Sequence, residues 1–274
     1  MNNHGILWDC QMHSSFSGDS RTSAEEMILQ GIRCGLKGIC FTEHLDPDYP
    51  PTPDGIDFSL DIPSYQETLF SLKEKYQDRI SLHFGIELGL QPHLAQRFST
   101  LLHQIPFDFV IGSSHLVHGQ DPYYPQFFQD RQEAQAYEEY FESILENLHA
   151  FSLMDVYGHL DYIVRYGPNQ NREYSYQKYQ DILDEILKNL IQKQVGIELN
   201  TGGYHYGLSQ PNPCIEILKR YHELGGELIT IGADAHTPDK IAYAFSQAEE
   251  VLKECGFSYY TVFTNRTPSF FKFT

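Results

Sequence analysis

Seven short apolar runs recur along this chain of 274 residues, and nearly every one ends in side chains able to do chemistry. Ile6-Leu7-Trp8 leads to Asp9 and His13, 38–41 to Thr42-Glu43-His44, and 82–86 to Glu87. Residues 107–111 precede Gly112-Ser113-Ser114-His115, and 156–158 end at His159-Leu160-Asp161. The last two runs are 195–199, ending at Asn200, and 228–232, followed by Asp234-Ala235-His236. Between them lie stretches of helical period. Residues 23–34 begin with Thr22 or Ser23 as N-cap and Glu25 and Glu26 in the first turn. Tyr137, Tyr140, Phe141, Ile144, Leu145 and Leu148 share one helical face, as do Ile182, Leu183, Ile186, Leu187, Leu190 and Ile191. Another helix over 213–224 stops at Gly225-Gly226. Strand–helix alternation of this kind predicts an α/β fold with a parallel sheet. Polar residues at almost every strand end favour a closed barrel, because an open sheet gathers its chemistry at one switch point. A single domain spanning 1–274 suits that length.

A formal net charge of -18, with no Lys/Arg cluster, argues against nucleic-acid partners, since phosphate backbones call for a basic patch. A small phosphate ester remains possible if bound cations dominate the local field. The five cysteines, Cys10, Cys34, Cys40, Cys214 and Cys255, are scattered and odd in number, which argues against a disulfide framework and a thiolate zinc site. No basic stretch and apolar run opens the sequence, and no run approaches membrane-spanning length, so a cytoplasmic protein with no membrane partner is expected. Nothing in the pattern indicates an oligomeric state. The Pro-rich segment 47–63 is too long for a plain connector and reads as a lid or pocket wall, with 121–129 as a possible second wall.

Collected in order, the strand ends carry Asp9, Gln11, His13, Asp19, His44, Glu87, His115, His159, Asp161, Asp234 and His236. Imidazole with carboxylate suits Zn, Mn or Fe(II). So many groups at one barrel mouth exceed the needs of one ion, and Glu87 could bridge two. His4, His93, His103, His149 and His222 read as surface histidines, and His83 as structural. Glu43 could simply orient a loop, and Asp234-Ala235-His236 could cap a helix.

The order of these motifs resembles the polymerase-and-histidinol-phosphatase superfamily, and within it the histidinol-phosphatase branch. The resemblance rests on Asp9-Cys10-Gln11-Met12-His13 with Ser17-Gly18-Asp19, Phe41-Thr42-Glu43-His44, Gly85-Ile86-Glu87 and Gly112-Ser113-Ser114-His115. Gly158-His159-Leu160-Asp161 and Gly232-Ala233-Asp234-Ala235-His236 complete it. It implies a distorted (β/α)7 TIM-like barrel and up to three divalent ions. His13, Glu87 and Asp234 would hold the first ion, Glu87, His115 and His159 the second, and Asp19, His44 and His236 the third. Gln11 stands where the family has its first metal-binding histidine. An amide oxygen ligates zinc poorly compared with imidazole, so that site would be weaker, prefer Mn or Mg, or be empty. A phosphate-gripping arginine is also missing from Asn200-Thr201-Gly202-Gly203-Tyr204-His205, whereas Arg165 matches the family.

What the resemblance implies in function is hydrolysis of L-histidinol phosphate, a small phosphorylated metabolite, by metal-activated water. Arg165 would clamp the phosphate, with His205 helping when protonated and Tyr204 and His118 as further substrate contacts. Asp161 is a candidate general acid, or alternatively a carboxylate that orients His159. Other readings stay open: a nucleotide or other phosphate-ester hydrolase of the same superfamily, a barrel amidohydrolase, or a non-catalytic member that binds metal or ligand.

Overall fold

The computed structural model describes residues 5–273; His4 and the extreme ends of the 1–274 span lie outside them. The seven apolar runs form seven parallel strands that pair in chain order: β1 (Trp8–Met12), β2 (Gly38–Leu45), β3 (Ser81–Gly89), β4 (Phe109–Ser113), β5 (Val156–Tyr157), β6 (Gly196–Asn200) and β7 (Ile229–Gly232). All but the first residue of β3 are buried, so the strands read as near-continuous apolar stretches rather than alternating ones. The ring closes where β1 meets the end of β7. There Asp234 N donates to Gln11 O at 3.0 Å and His13 N to Ala235 O at 2.9 Å. Asp9 fastens the same seam, its carboxylate accepting from Ala233 N at 2.9 Å and Ala242 N at 3.0 Å. The first aspartate of the sequence motif is thus a staple of the barrel.

Helices cover the outside: α1 (Ala24–Arg33), α2 (Ile62–Tyr76), α3 (Ala95–Gln104), α4 (Glu133–Ala150), α5 (Gln180–Gln192), the single turn α6 (Gly202–His205), α7 (Ile215–Glu223) and α8 (Phe245–Glu254). α1 begins with a full capping box, Ser23 and Glu26 each bonding the other's backbone. α4 and α5 bury the apolar faces expected of them. α2 and α3 went unforeseen. α2 opens inside the Pro-rich segment, with Asp61 as its cap and Pro63 in its first turn, where the missing N–H costs nothing.

An antiparallel hairpin, β8 (Tyr259–Thr264) and β9 (Thr267–Lys272), follows α8 and packs under the starts of the barrel strands. Tyr260 Oη accepts from Leu7 N at 3.1 Å, and Phe263 O accepts from His83 Nδ1 at 2.8 Å. His83 is therefore structural, as read. With that end plugged, the other end of the barrel is left to carry the site.

Candidate active site

Parallel register sets the first pieces side by side. In the β2–β3 pair the backbone partner of His44 is Glu87, the last part of β3 before its end. Glu87 is wholly buried and lies at the centre. Its Oε1 is 2.9 Å from His159 Nε2 and 3.2 Å from His115 Nε2, and accepts from Ser113 Oγ at 2.6 Å. Its Oε2 lies 3.4 Å from His13 Nε2 and 3.5 Å from His44 Nδ1. His13 Nε2 is also 3.4 Å from Asp234 Oδ1. Asp19 reaches in from the loop after β1, with Oδ2 3.1 Å from His236 Nε2 and 3.6 Å from His44 Nε2. The rings of His13, His44 and His236 cluster, with the His13 centroid 4.2 Å from that of His44 and 4.3 Å from that of His236, and those two 5.8 Å apart.

Four imidazoles crowded on one carboxylate set the electrostatics. Burial pushes Glu87 up, but His44, His115 and His159 outweigh it and hold the carboxyl well below its usual range. Burial, with His13 beside it, lowers His44 to about 4. Burial opposes the charge on His236 too, yet Asp19 raises it to about 10. His115 follows the same rule: Asp46 and Glu87 overcome burial and raise it well above the ordinary imidazole value.

The donor set fits divalent ions. Glu87, His115 and His159 can converge on one point, as can His44, Asp46 and His115, and His13, His44 and His236. His13 Nε2, in one of these groups, and His236 Nε2, beside Asp19, are buried with no hydrogen-bond partner. Leaving such atoms unsatisfied costs roughly 1–3 kcal/mol each, a cost that bound cations would remove. Glu43, next to His44, points away from the centre and holds the loop after β1 through Ser14 and Ser17.

Above the ligands opens a cavity of about 360 Å³. Its walls come from both suspected loops: Tyr49, Ile56 and Phe58 from one, Asp121, Tyr123 and Tyr124 from the other. Arg165 lines it while almost wholly buried, and three side chains fix its guanidinium. Nε donates to Asn212 Oδ1 at 2.8 Å, Nη2 to Asn200 Oδ1 at 2.9 Å and Nη1 to Asp234 Oδ2 at 3.1 Å. Gly202 makes this possible, since a Cβ there would lie 2.7 Å from Asn200 Oδ1.

Four sequence expectations need correction. Asp161 does not face the cavity; its oxygens accept from Asn212 Nδ2 at 2.6 Å and Cys214 N at 2.9 Å. It orients Asn212, hence Arg165, and makes no hydrogen bond to His159, whose Nδ1 has no hydrogen-bond partner. His118 is exposed and pairs with Glu146 at 3.3 Å. Val117 and Gln120 bond across a tight turn that carries residue 118 outward. Tyr204 does not line the cavity, whereas Tyr206 does, its ring 4.7 Å from the Arg165 guanidinium. His205 lines the cavity, but burial and Lys240 lower its pKa, which works against the protonated role expected of it.

Gln11, too, is placed unexpectedly, donating its amide to Glu87 Oε2 at 2.9 Å. Sequence reasoning also missed Asp46, which bonds His115 Nδ1 at 2.7 Å, and Lys240 on the cavity wall. Their signal was position: Asp46 lies two residues after His44, and Lys240 four after His236.

Residues 9–202 match the PHP domain family. The chain is 33% identical over 253 residues to a probable histidinol-phosphatase of Clostridium acetobutylicum, covering 91% of this chain and 94% of that one. It is 31% identical to a histidinol-phosphatase of Lactococcus lactis subsp. lactis, covering 91% of each. The crystal structure of a Lactococcus lactis histidinol phosphate phosphatase, complexed with zinc, L-histidinol and phosphate, superposes with a TM-score of 0.89 at 30% identity. That match covers 96% of this chain and 98% of the other.

Proposed function

The chain belongs to the PHP domain family, and from that premise we propose that it is a metal-dependent phosphomonoesterase releasing phosphate from L-histidinol phosphate. One observation carries this reading: Glu87 lies within reach of four imidazoles, three of which, His44, His115 and His159, line a cavity together with a clamped arginine. The relatives at 31–33% identity bear the name of that activity, and a neighbour of like fold holds zinc, histidinol and phosphate.

His13, Glu87 and Asp234 would hold one divalent ion, Glu87, His115 and His159 a second, and Asp19, His44 and His236 a third. Zn, Mn and Fe(II) all suit these donors. Bound there, such ions lower the pKa of water and offset charge on phosphoryl oxygens. Arg165 presents a permanent planar charge to the phosphate, already oriented by Asn200, Asn212 and Asp234, so little is lost in ordering it. Lys240, which lines the cavity with His205, supplies the second cation where the related arginine is missing. Asp121, Tyr49, Tyr123 and Tyr124 form an acidic, aromatic wall suited to a cationic nitrogenous leaving group. Among the described residues no helix is long and apolar enough to cross a membrane. The thiols of Cys10, Cys40, Cys214 and Cys255 suit a reducing compartment, and a cytoplasmic location is part of the same proposal.

A substrate panel tests the specificity. With the Mn-loaded protein, kcat/KM for L-histidinol phosphate should exceed that for nucleoside monophosphates and glycerol phosphate by roughly 100-fold or more, as a built polar site discriminates. Equal rates across the panel would move the substrate to another phosphate ester.

A further inference from the structure

Gln11 occupies the position of an expected metal ligand, and its surroundings fix which end of its amide faces the centre. Asn200 decides the matter. Its Oδ1 accepts from Arg165 Nη2 at 2.9 Å and from Gly202 N at 2.8 Å. Both partners can only donate, so Asn200 cannot be turned over. Its Nδ2 must therefore face the other way, where it donates to Gln11 Oε1 at 2.6 Å and to Glu198 Oε2 at 3.1 Å. With its oxygen engaged by Asn200, Gln11 has only its NH2 to offer Glu87, and it donates to Oε2 at 2.9 Å. All of these side chains are buried, and Gly232 leaves the room: a Cβ there would lie 2.6 Å from Gln11 Cβ.

We infer that Gln11 is a positioning residue rather than a metal ligand: a one-way chain of hydrogen bonds from Arg165 through Asn200 and Gln11 aims Glu87 at the ions. Two consequences follow. The first ion is left with His13, Glu87 and Asp234 as its side-chain ligands. The guanidinium that would meet the phosphate and the carboxylate that would serve two ions are held by one polar network, so moving either disturbs the other. The inference rests on the metal centre proposed above but not on the identity of the substrate.

Two measurements test it. In a crystal of the Mn-loaded protein, with ions located by anomalous scattering, the Gln11 side chain should lie outside coordination distance of every ion, with an amide atom on Glu87. A Gln11 atom at roughly 2.2 Å from an ion, a bonding distance for hard cations, would overturn the inference. A crystal with no ion at the centre would instead overturn the metal assignment itself. The second measurement is retention of Mn during dialysis against graded EDTA. Asn200→Asp replaces the donor by an acceptor, so the Gln11 amide should turn and lend its oxygen to the first ion. Retention of that ion should then rise about tenfold, the scale of such outer-partner effects. The gain should vanish in the Gln11→Met/Asn200→Asp double variant, which separates a turned amide from the added charge. No gain, or an equal gain with Met at position 11, would contradict the inference. Should Asn200→Asp fail to fold, the Mn-loaded crystal alone decides.

Discussion

At the scale of single residues, side-chain chemistry and strand-end position were legible, while orientation was not. His13, His44, His115, His159, Glu87 and Asp234 converge because each follows an apolar run, and the fold brings the ends of those runs to one mouth. Asp161 follows a run in the same way but points into the wall, a choice made by Asn212 and the Cys214 amide far along the chain. Two predictions belong here. His115→Ala should release metal and reduce phosphate release by at least roughly 100-fold, since loss of even an outer partner costs 10–100-fold. Metal analysis and turnover on the same sample check it, and both left intact would sink the assignment of His115. Arg165→Lys keeps the charge but breaks the planar clamp with Asn200, Asn212 and Asp234. It should lower kcat/KM by roughly 10- to 100-fold, the worth of about 1.5–3 kcal/mol in a charged hydrogen bond; an unchanged value would mean that the phosphate does not meet this group.

At the scale of elements, periodicity found the helices that bury a broad apolar face. It missed α2 because a proline near its start reads equally as loop, and α3 because only Phe98 of it is fully buried. Packing between elements adds terms that no local pattern shows. Asp184 on α5 accepts from Arg220 on α7 in bidentate fashion, at 2.8 and 2.6 Å, and also from Tyr176 Oη at 2.6 Å. Arg220 leads in holding the Asp184 carboxyl below the ordinary 3.8, against burial. A depressed carboxyl contributes its stability in full above the unfolded value near 3.8, and loses it as pH falls toward the folded value. Asp184→Asn should therefore lower the melting temperature at neutral pH, by the equivalent of about 1–3 kcal/mol, and narrow the gap to the parent below pH 3.8. A gap that stays constant from pH 7 to 3 would show that the pair is not the cause.

At the scale of the whole molecule, the barrel separates two tasks. The strand starts are sealed by the β8–β9 hairpin, and the strand ends hold charge that a folded protein would not otherwise gather. Cavity walls come from the segments 47–61 and 121–129, long connections whose sequence marked them as more than linkers. Their shape depends on contacts between them, such as the hydrogen bond from Tyr49 to Asp121, which link residues far apart in the chain. Ion binding should also stabilise the fold, because the unpartnered imidazole nitrogens gain partners only in the folded state. Removing metal with EDTA should lower the melting temperature, and Mn should restore it.

Phosphate release from L-histidinol phosphate, compared between metal-stripped protein and the same sample reloaded with Mn, tests the central claim most directly. The stripped protein should be inactive and the reloaded protein should turn over at roughly 1–1000 per second, as ordinary enzymes do. Equal release with and without metal, or none from protein shown to hold its ions, would contradict a metal-dependent histidinol-phosphate phosphatase.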